Sequence, residues 1–283
     1  MINYDSYFLK FSKACWDVVE RTVPKYSSKY SRKDYTLQQH VAMLCLKIKF
    51  KKKYREIVDL LSLMPDICEI LGLEKVPHHT TIDKVFLRLK NLILAILLTA
   101  TAGKKEVLDG SMDGTYFDRR HASRHYTKRC KLTIRSLKVS LLIDVKNLKI
   151  HFVHITTTRK HDTKIMLSML KKTKQKIKII RGDKGYDAKE IRDYARSIGI
   201  RPLIPHREFL QIDKMHNARM NKEDYNKRVF NETVNSMLKR KYGDYVSSVD
   251  WWNQFKEILL LCIVHNIERS CVFLIGFLQS FIY

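Results

Sequence analysis

Apolar residues recur at helical spacing through most of the first hundred positions. Residues 35–48 and 54–63 each carry them three and four apart, as the buried stripe of an amphipathic helix requires. Pro77-His78-His79-Thr80-Thr81-Ile82-Asp83-Lys84 introduces a further helix. Thr80 is its expected cap, with Asp83 three residues on as a variant capping box. That helix is expected to continue through Val85, Phe86 and Leu89 into the apolar run 92–98. Residues 99–105 break the pattern, and the period then shortens to that of strands. Strands are expected at 107–117, 133–145 and 149–156, with a turn at 144–148. A helix at 163–170, a short buried strand at 177–182, a helix at 188–198 and a strand at 201–204 follow. Residues 206–224 are polar and basic and read as a loop or small insertion, whereas 254–265 are apolar enough for a closing core helix.

Three strands followed by strand–helix alternation predict an α/β or α+β unit with a mixed sheet, placed after an all-helical region. The expected division is 1–103 for the helical region and 104–283 for the sheet-bearing domain. The apolar runs 92–98 and 271–283 both fall short of the ~18 residues a membrane span needs, so no membrane partner is expected and both read as buried helices. The N-terminus shows no basic stretch followed by an apolar one, and the six cysteines form no Cys-x-x-Cys pair. A reducing cytoplasm without disulfides or structural zinc is the expectation.

Composition sharpens this picture in one respect. Lys and Arg number 54 against 29 Asp and Glu, a formal net charge of +25, while 45% hydrophobic residues allow a real core. A folded chain with that positive field calls for a polyanionic partner, with nucleic acid ahead of an anionic membrane surface. Helices separated by short turns in the first hundred residues suit a helix-turn-helix, in which Lys84 and Arg88 are the candidates for reaching DNA. A plain helical bundle with a solvated basic face fits the same pattern. Lys51-Lys52-Lys53-Tyr54-Arg55 is either a backbone-tracking run or a solvated one.

The chemistry concentrates between residues 225 and 239. Were this segment one helix, Tyr225, Arg228, Glu232 and Lys239 would fall within an arc of roughly 60°. An acid, two cations and a phenol make a poor core-facing stripe; they suit a metal held beside nucleic-acid phosphates. Two more acids lie on strand-like segments, Asp113 in Met-Asp-Gly-Thr and Asp183 in Arg-Gly-Asp-Lys-Gly-Tyr-Asp. Three carboxylates can hold magnesium with water and substrate oxygens, and two such ions can clamp the attacking and leaving oxygens of a phosphodiester. Gly185 is expected to let the backbone turn sharply after Asp183. Asp109, four residues before Asp113, shares its strand face.

These residues resemble the DDE transposases of bacterial and archaeal insertion sequences, in the large group often numbered five and in particular its archaeal members. The family's Tyr-(2)-Arg-(3)-Glu-(6)-Lys signature is matched at every spacing by Tyr225, Arg228, Glu232 and Lys239. Its Asp-Lys-Gly-Tyr-Asp segment is matched by 183–187, and its Asp-x-Thr ahead of an aromatic by Asp113, Thr115 and Phe117. His161-Asp162-Thr163, Pro205-His206-Arg207, His216-Asn217-Ala218-Arg219 and the run from Trp251 to Glu257 are similar as well. The register of that resemblance selects Asp113 over Asp109. It implies an RNase H-like fold, a mixed sheet flanked by helices. It further implies that Asp113, Asp183 and Glu232 hold two Mg²⁺ or Mn²⁺ ions, that Tyr225, Arg228 and Lys239 contact DNA, and that strand cleavage at an element's end is followed by transfer of the freed 3′-OH into target DNA. Double-stranded DNA is the implied partner and a homodimer on DNA the implied assembly. A metal-dependent nuclease without strand transfer and a non-catalytic DNA-binding regulator are the rival functions. Of the remaining residues, His121 and His125 are expected on a loop near DNA, Asp162 as a helix cap, and Trp251 and Trp252 as divided between core and surface.

Overall fold

The computed structural model describes residues 6–103, 108–119, 136–157, 160–173 and 176–279. It divides into two compact units, one of residues 1–102 with 250–283 and the other of 103–249. Residues 104–107 and His121 and His125 lie outside the described residues.

The first unit is helical: α1 (Tyr7–Thr22), α2 (Leu37–Lys49), α3 (Tyr54–Ser62), α4 (Pro65–Ile70), α5 (His79–Arg88), α6 (Asn91–Ala102) and the final helix Trp251–Gln279. Helix α2 is its centre, with eight residues from Leu37 to Leu46 buried. Its start is fixed by a reciprocal cap: Thr36 Oγ1 accepts from the Gln39 N–H at 3.0 Å while the Thr36 N–H donates to Gln39 Oε1 at 2.8 Å. The expected helix through 77–98 is instead two helices bent by 93°. Leu89 adopts an extended backbone and ends α5, and the bend lets Leu94, Leu97 and Leu98 of α6 reach the core. The carbonyls exposed by that break are satisfied from far along the chain, since Lys256 Nζ donates to Phe86 O at 3.1 Å and Leu87 O at 2.7 Å. The cap of α5 is His78 rather than Thr80, and the His78 ring bonds Thr80 Oγ1 at 2.9 Å instead of closing on the backbone.

The final helix begins at Trp251, earlier than the apolar pattern implies, and runs without a break to Gln279, into the expected separate tail. Its residues Ile258, Leu260, Leu261, Ile263, Val264 and Ile267 are buried, and it packs on α1, α2 and α6. It therefore belongs with the N-terminal helices, although the sequence places it after the sheet. Nothing in an apolar helix's pattern states which apolar partner it will find. Among the described residues no single helix is long and apolar enough to cross a membrane.

The second unit is a six-stranded mixed sheet flanked by helices: β1 (Leu108–Arg119), β2 (Ser136–Asp144), β3 (Ile150–Thr157), α7 (Asp162–Lys172), β4 (Ile177–Arg181), α8 (Lys189–Ser197), β5 (Arg201–Leu203), α9 (Gln211–Arg219), α10 (Lys222–Asn226), α11 (Val229–Tyr242) and β6 (Tyr245–Val246). The order is β3-β2-β1-β4-β5, with β6 beside the far end of β1. Strands β1–β3 are antiparallel; β4 and β5 continue parallel to β1. Successive side chains of β1 point to opposite faces. Leu108 and Met112 join Leu142, Ile165, Met169, Ile180 and Ile191 in a core under α7 and α8, while Asp113 faces α11. Gly110 is required at the centre of this sheet: a Cβ there would stand 3.2 Å from Ile179 O and 3.3 Å from both Ile180 Cδ1 and Leu142 Cδ1.

Candidate functional site

Asp113 sits mid-strand, opposite Leu141 on β2. Its Oδ2 accepts a hydrogen bond from Asn235 Nδ2 of α11 at 3.3 Å. Burial pushes its carboxyl up to about 6; the charges of Asp183 and Glu232 push the same way, against the Gly114 N–H and Arg228. Asp183 and Glu232 therefore both lie within electrostatic reach of Asp113.

The sheet explains how Asp183 arrives there. Ser111 pairs with Arg181 as the last step of the parallel register of β1 and β4, and Asp113 and Asp183 each follow two residues past that step. The carboxylate caps the short turn that follows, with Oδ1 accepting the Gly185 N–H at 2.8 Å. Gly185 does not take the left-handed conformation, which among the described glycines falls to Gly72, Gly103, Gly199 and Gly243. What it supplies is room: a Cβ at 185 would lie 2.9 Å from Asp183 Oδ1.

Glu232 comes from the first turn of α11 and is held by Arg228 Nη2 at 2.7 Å, its side chain half exposed. Asn235 is three residues on, so the same helix face presents Glu232 and the donor to Asp113. The stripe from Tyr225 to Lys239 is not one helix. Tyr225 lies in the last turn of α10, Arg228 precedes α11, and the junction is wound tightly, with the Arg228 N–H donating to Tyr225 O at 2.9 Å and the Asn231 N–H to Arg228 O at 2.9 Å. These three-residue hydrogen bonds turn the chain faster than an α-helix, so the arc drawn for an uninterrupted helix does not hold across residue 227. Lys239 lies on the last turn of α11 with its ammonium 5.9 Å from the Phe117 ring. Lys84 and Arg88 are exposed on α5, in the first unit.

Asp109 has a different surrounding. Its Oδ1 accepts from Arg181 Nη1 at 2.5 Å, and the Arg181 side chain is wholly buried. Arg181 Nε also donates to Asp224 O at 2.5 Å, tying β4 to α10. Sequence reasoning missed Asn235 and Arg181. Asn235 carried a usable signal, three residues past Glu232; Arg181 carried a weaker one, two residues before Asp183 and hence on its strand face. On the opposite face Lys138 pairs with Asp162, so Asp162 serves as a counter-charge while His161 occupies the cap of α7.

The donor set is three carboxylates, the hard oxygen ligands that suit Mg²⁺ or Mn²⁺, and an acid raised by burial and further by two like charges is a site a divalent cation would relieve. Among the described residues no group of three or more His, Cys, Asp or Glu side chains is gathered into a metal cage; Glu232 is engaged by Arg228 and Asp183 by the Gly185 N–H.

Residues 106–267 match the family described as the transposase DDE domain. No curated protein matches the chain. Among solved structures it is similar to that titled "Crystal structure of a pre-cleavage Mos1 transpososome", at 11% identity over 88% of this chain and 81% of that one, with a TM-score of 0.23.

Proposed function

Because this chain belongs to the transposase DDE domain family, we propose that it cleaves DNA at the ends of an insertion sequence and joins the freed 3′-OH to target DNA. The observation that carries this proposal is Asp113, half-buried, hydrogen-bonded to Asn235 and raised to about 6 in part by Asp183 and Glu232. A regulator with merely structural acids has no reason to place a buried carboxylate where two others oppose its ionisation.

In this proposal Asp113, Asp183 and Glu232 hold two Mg²⁺ or Mn²⁺ ions. When bound, such a pair generates a nucleophile from water or a hydroxyl at neutral pH and neutralises the oxygen that leaves. The remaining work belongs to the chain. Asn235 holds the Asp113 carboxylate toward α11, and Gly185 gives Asp183 its room. Arg228 neutralises Glu232 until the site fills, then is free to engage a phosphate; Lys239 and Tyr225 position the DNA end beside it. Water adds to phosphorus at the end, the P–O3′ bond breaks, and a 3′-OH and a 5′-phosphate result. That 3′-OH then attacks a target phosphodiester, forming a new P–O3′ bond as the target's own 3′ oxygen leaves, so no covalent bond to protein is needed. The helical first unit would grip double-stranded DNA through Lys84 and Arg88, with two copies of the chain pairing two ends. The setting is the cytoplasm, at the chromosome.

The test is incubation of the purified chain with DNA carrying its own element's termini, with Mg²⁺ and then with chelator. Cleavage followed by joined product, both absent in Asp113→Asn and Glu232→Gln, is the expected result. Cleavage without joining points to a nuclease; binding without cleavage overturns the enzymatic reading.

A further inference from the structure

Helix α9 buries none of its residues, and neither does α10. Around α9 the large apolar side chains face outward: Phe209 is 82% exposed, Leu210 65%, Ile212 54% and Met215 52%. A nine-residue helix does not hold itself in water, and this one lacks the apolar contact that usually anchors a short helix. Polar ties hold it instead. Asn217 Nδ2 donates to His206 O at 2.9 Å while its Oδ1 accepts the His206 N–H at 2.7 Å. Asp213 Oδ2 accepts the Leu210 and Phe209 N–H groups at 2.9 and 3.2 Å. The segment is also fastened to the turn that carries Asp183. The Arg207 guanidinium donates to Lys184 O at 3.1 Å and Gly185 O at 3.3 Å, and its N–H donates to Asp187 Oδ2 at 2.7 Å. An apolar surface is thus held outward beside the candidate catalytic turn.

The charges around it indicate the occupant. Glu208 is taken by Lys184 at 2.8 Å, Asp213 by its cap, and Asp224 by Lys227 at 2.9 Å. Lys214, Arg219 and Lys222 are exposed and form no ion pair among the described residues. A second copy seated here would bring like charges together; a nucleic-acid strand brings phosphates to the cations and base faces to the apolar side chains. We propose that Phe209, Leu210, Ile212 and Met215 form a docking surface for DNA bases next to the cleaved bond, flanked by phosphate contacts from Lys214, Arg219 and Lys222. This rests on the transposase reading and deepens it by assigning the base-contacting surface of the same site.

The test uses the full chain, a labelled DNA end with a fluorescent adenine analogue beside the cleavage position, and the triple variant Phe209→Ser, Ile212→Ser, Met215→Ser. All three side chains are exposed, so melting is expected to match the parent. Affinity should fall about tenfold or more, the scale of lost base stacking, with the slope of log K against log salt unchanged because no phosphate contact is lost. The analogue's emission change should vanish in the triple variant and survive in Phe209→Trp. Lys214→Ala with Arg219→Ala should behave in the opposite way, flattening the slope by about 0.9 per phosphate contact. Unchanged affinity and emission in the triple variant overturn the proposal. So does a chain that dimerises without DNA and loses only that dimer on substitution, which makes the surface a contact between copies. A parent chain that binds no DNA sinks this proposal together with the transposase reading, whereas parent-like DNA binding by the triple variant sinks this proposal alone.

Discussion

Arg181 donates to Asp109 from a side chain that is wholly buried, at 2.5 Å, two residues before Asp183 on the same segment. Asp109 and Asp113 share a strand face and differ by four residues, yet only Asp109 has a full counter-charge. The pair separates a structural aspartate from a reactive one within a single strand.

Removing Arg181 leaves the largely buried Asp109 carboxylate without its counter-charge, and removing Asp109 leaves the wholly buried guanidinium with Asp224 as its remaining acid, at 3.7 Å. Asp109→Asn and Arg181→Met are each expected to lower unfolding free energy by about 3–5 kcal/mol, read from denaturant or thermal melts. Asp113→Asn should not destabilise at all. If Asp109→Asn melts like the parent while Asp113→Asn collapses, the assignment of the two acids is reversed.

The Asp113 carboxyl lies near 6 instead of its ordinary 3.8, chiefly through burial. The folded chain therefore binds this proton more tightly than the unfolded chain does. The resulting stability is fully present below about 4 and is lost as pH rises through about 6. The full shift corresponds to about 3 kcal/mol, and partial solvent access brings the expectation to ~1–2 kcal/mol. With divalent cations removed by chelator, Asp113→Asn should be the more stable protein at neutral pH by that amount, and the difference should close on acidification. A difference that grows as pH falls contradicts the shift.

The order of strands and helices from β1 to β5 was legible because a period of two and a period of 3.6 write different patterns, and because the acids carry close-set neighbours such as the 183–187 segment; residues 206–224, read as a loop, instead hold α9 and α10. The break at Leu89 was not legible. The Phe86 and Leu87 carbonyls depend on Lys256, a partner supplied by tertiary folding from far along the chain. The exposure of Phe209 and Ile212 was illegible for a related reason: an apolar residue in a polar loop looks the same whether it turns inward or outward until the packing is known. The arc drawn through Tyr225 and Lys239 failed at one junction, where tight winding between 225 and 231 replaced ordinary helical turns.

Gly185→Ala tests the space beside Asp183. The added methyl would stand 2.9 Å from Oδ1, so the carboxylate must rotate and give up its bond from the Gly185 N–H. The backbone itself is unstrained there, since Gly185 is outside the left-handed region. Stability should change by less than about 1 kcal/mol, while Mg²⁺-dependent cleavage falls at least about tenfold through misplacement of one carboxylate. A large loss of stability with cleavage per folded molecule intact would mean that the glycine serves the turn and not the acid.

Lys84 and Arg88 stand four apart on α5, exposed and on one helical face. If they grip duplex phosphates, Lys84→Ala and Arg88→Ala should each weaken binding to all sequences alike and flatten the dependence of log K on log salt by about 0.9. Neither side chain packs in the core, so melting should match the parent within about 0.5 kcal/mol. Measuring affinity over a range of salt separates this from a solvated basic face, for which the substitutions shift the charge of the chain and leave the slope where it was.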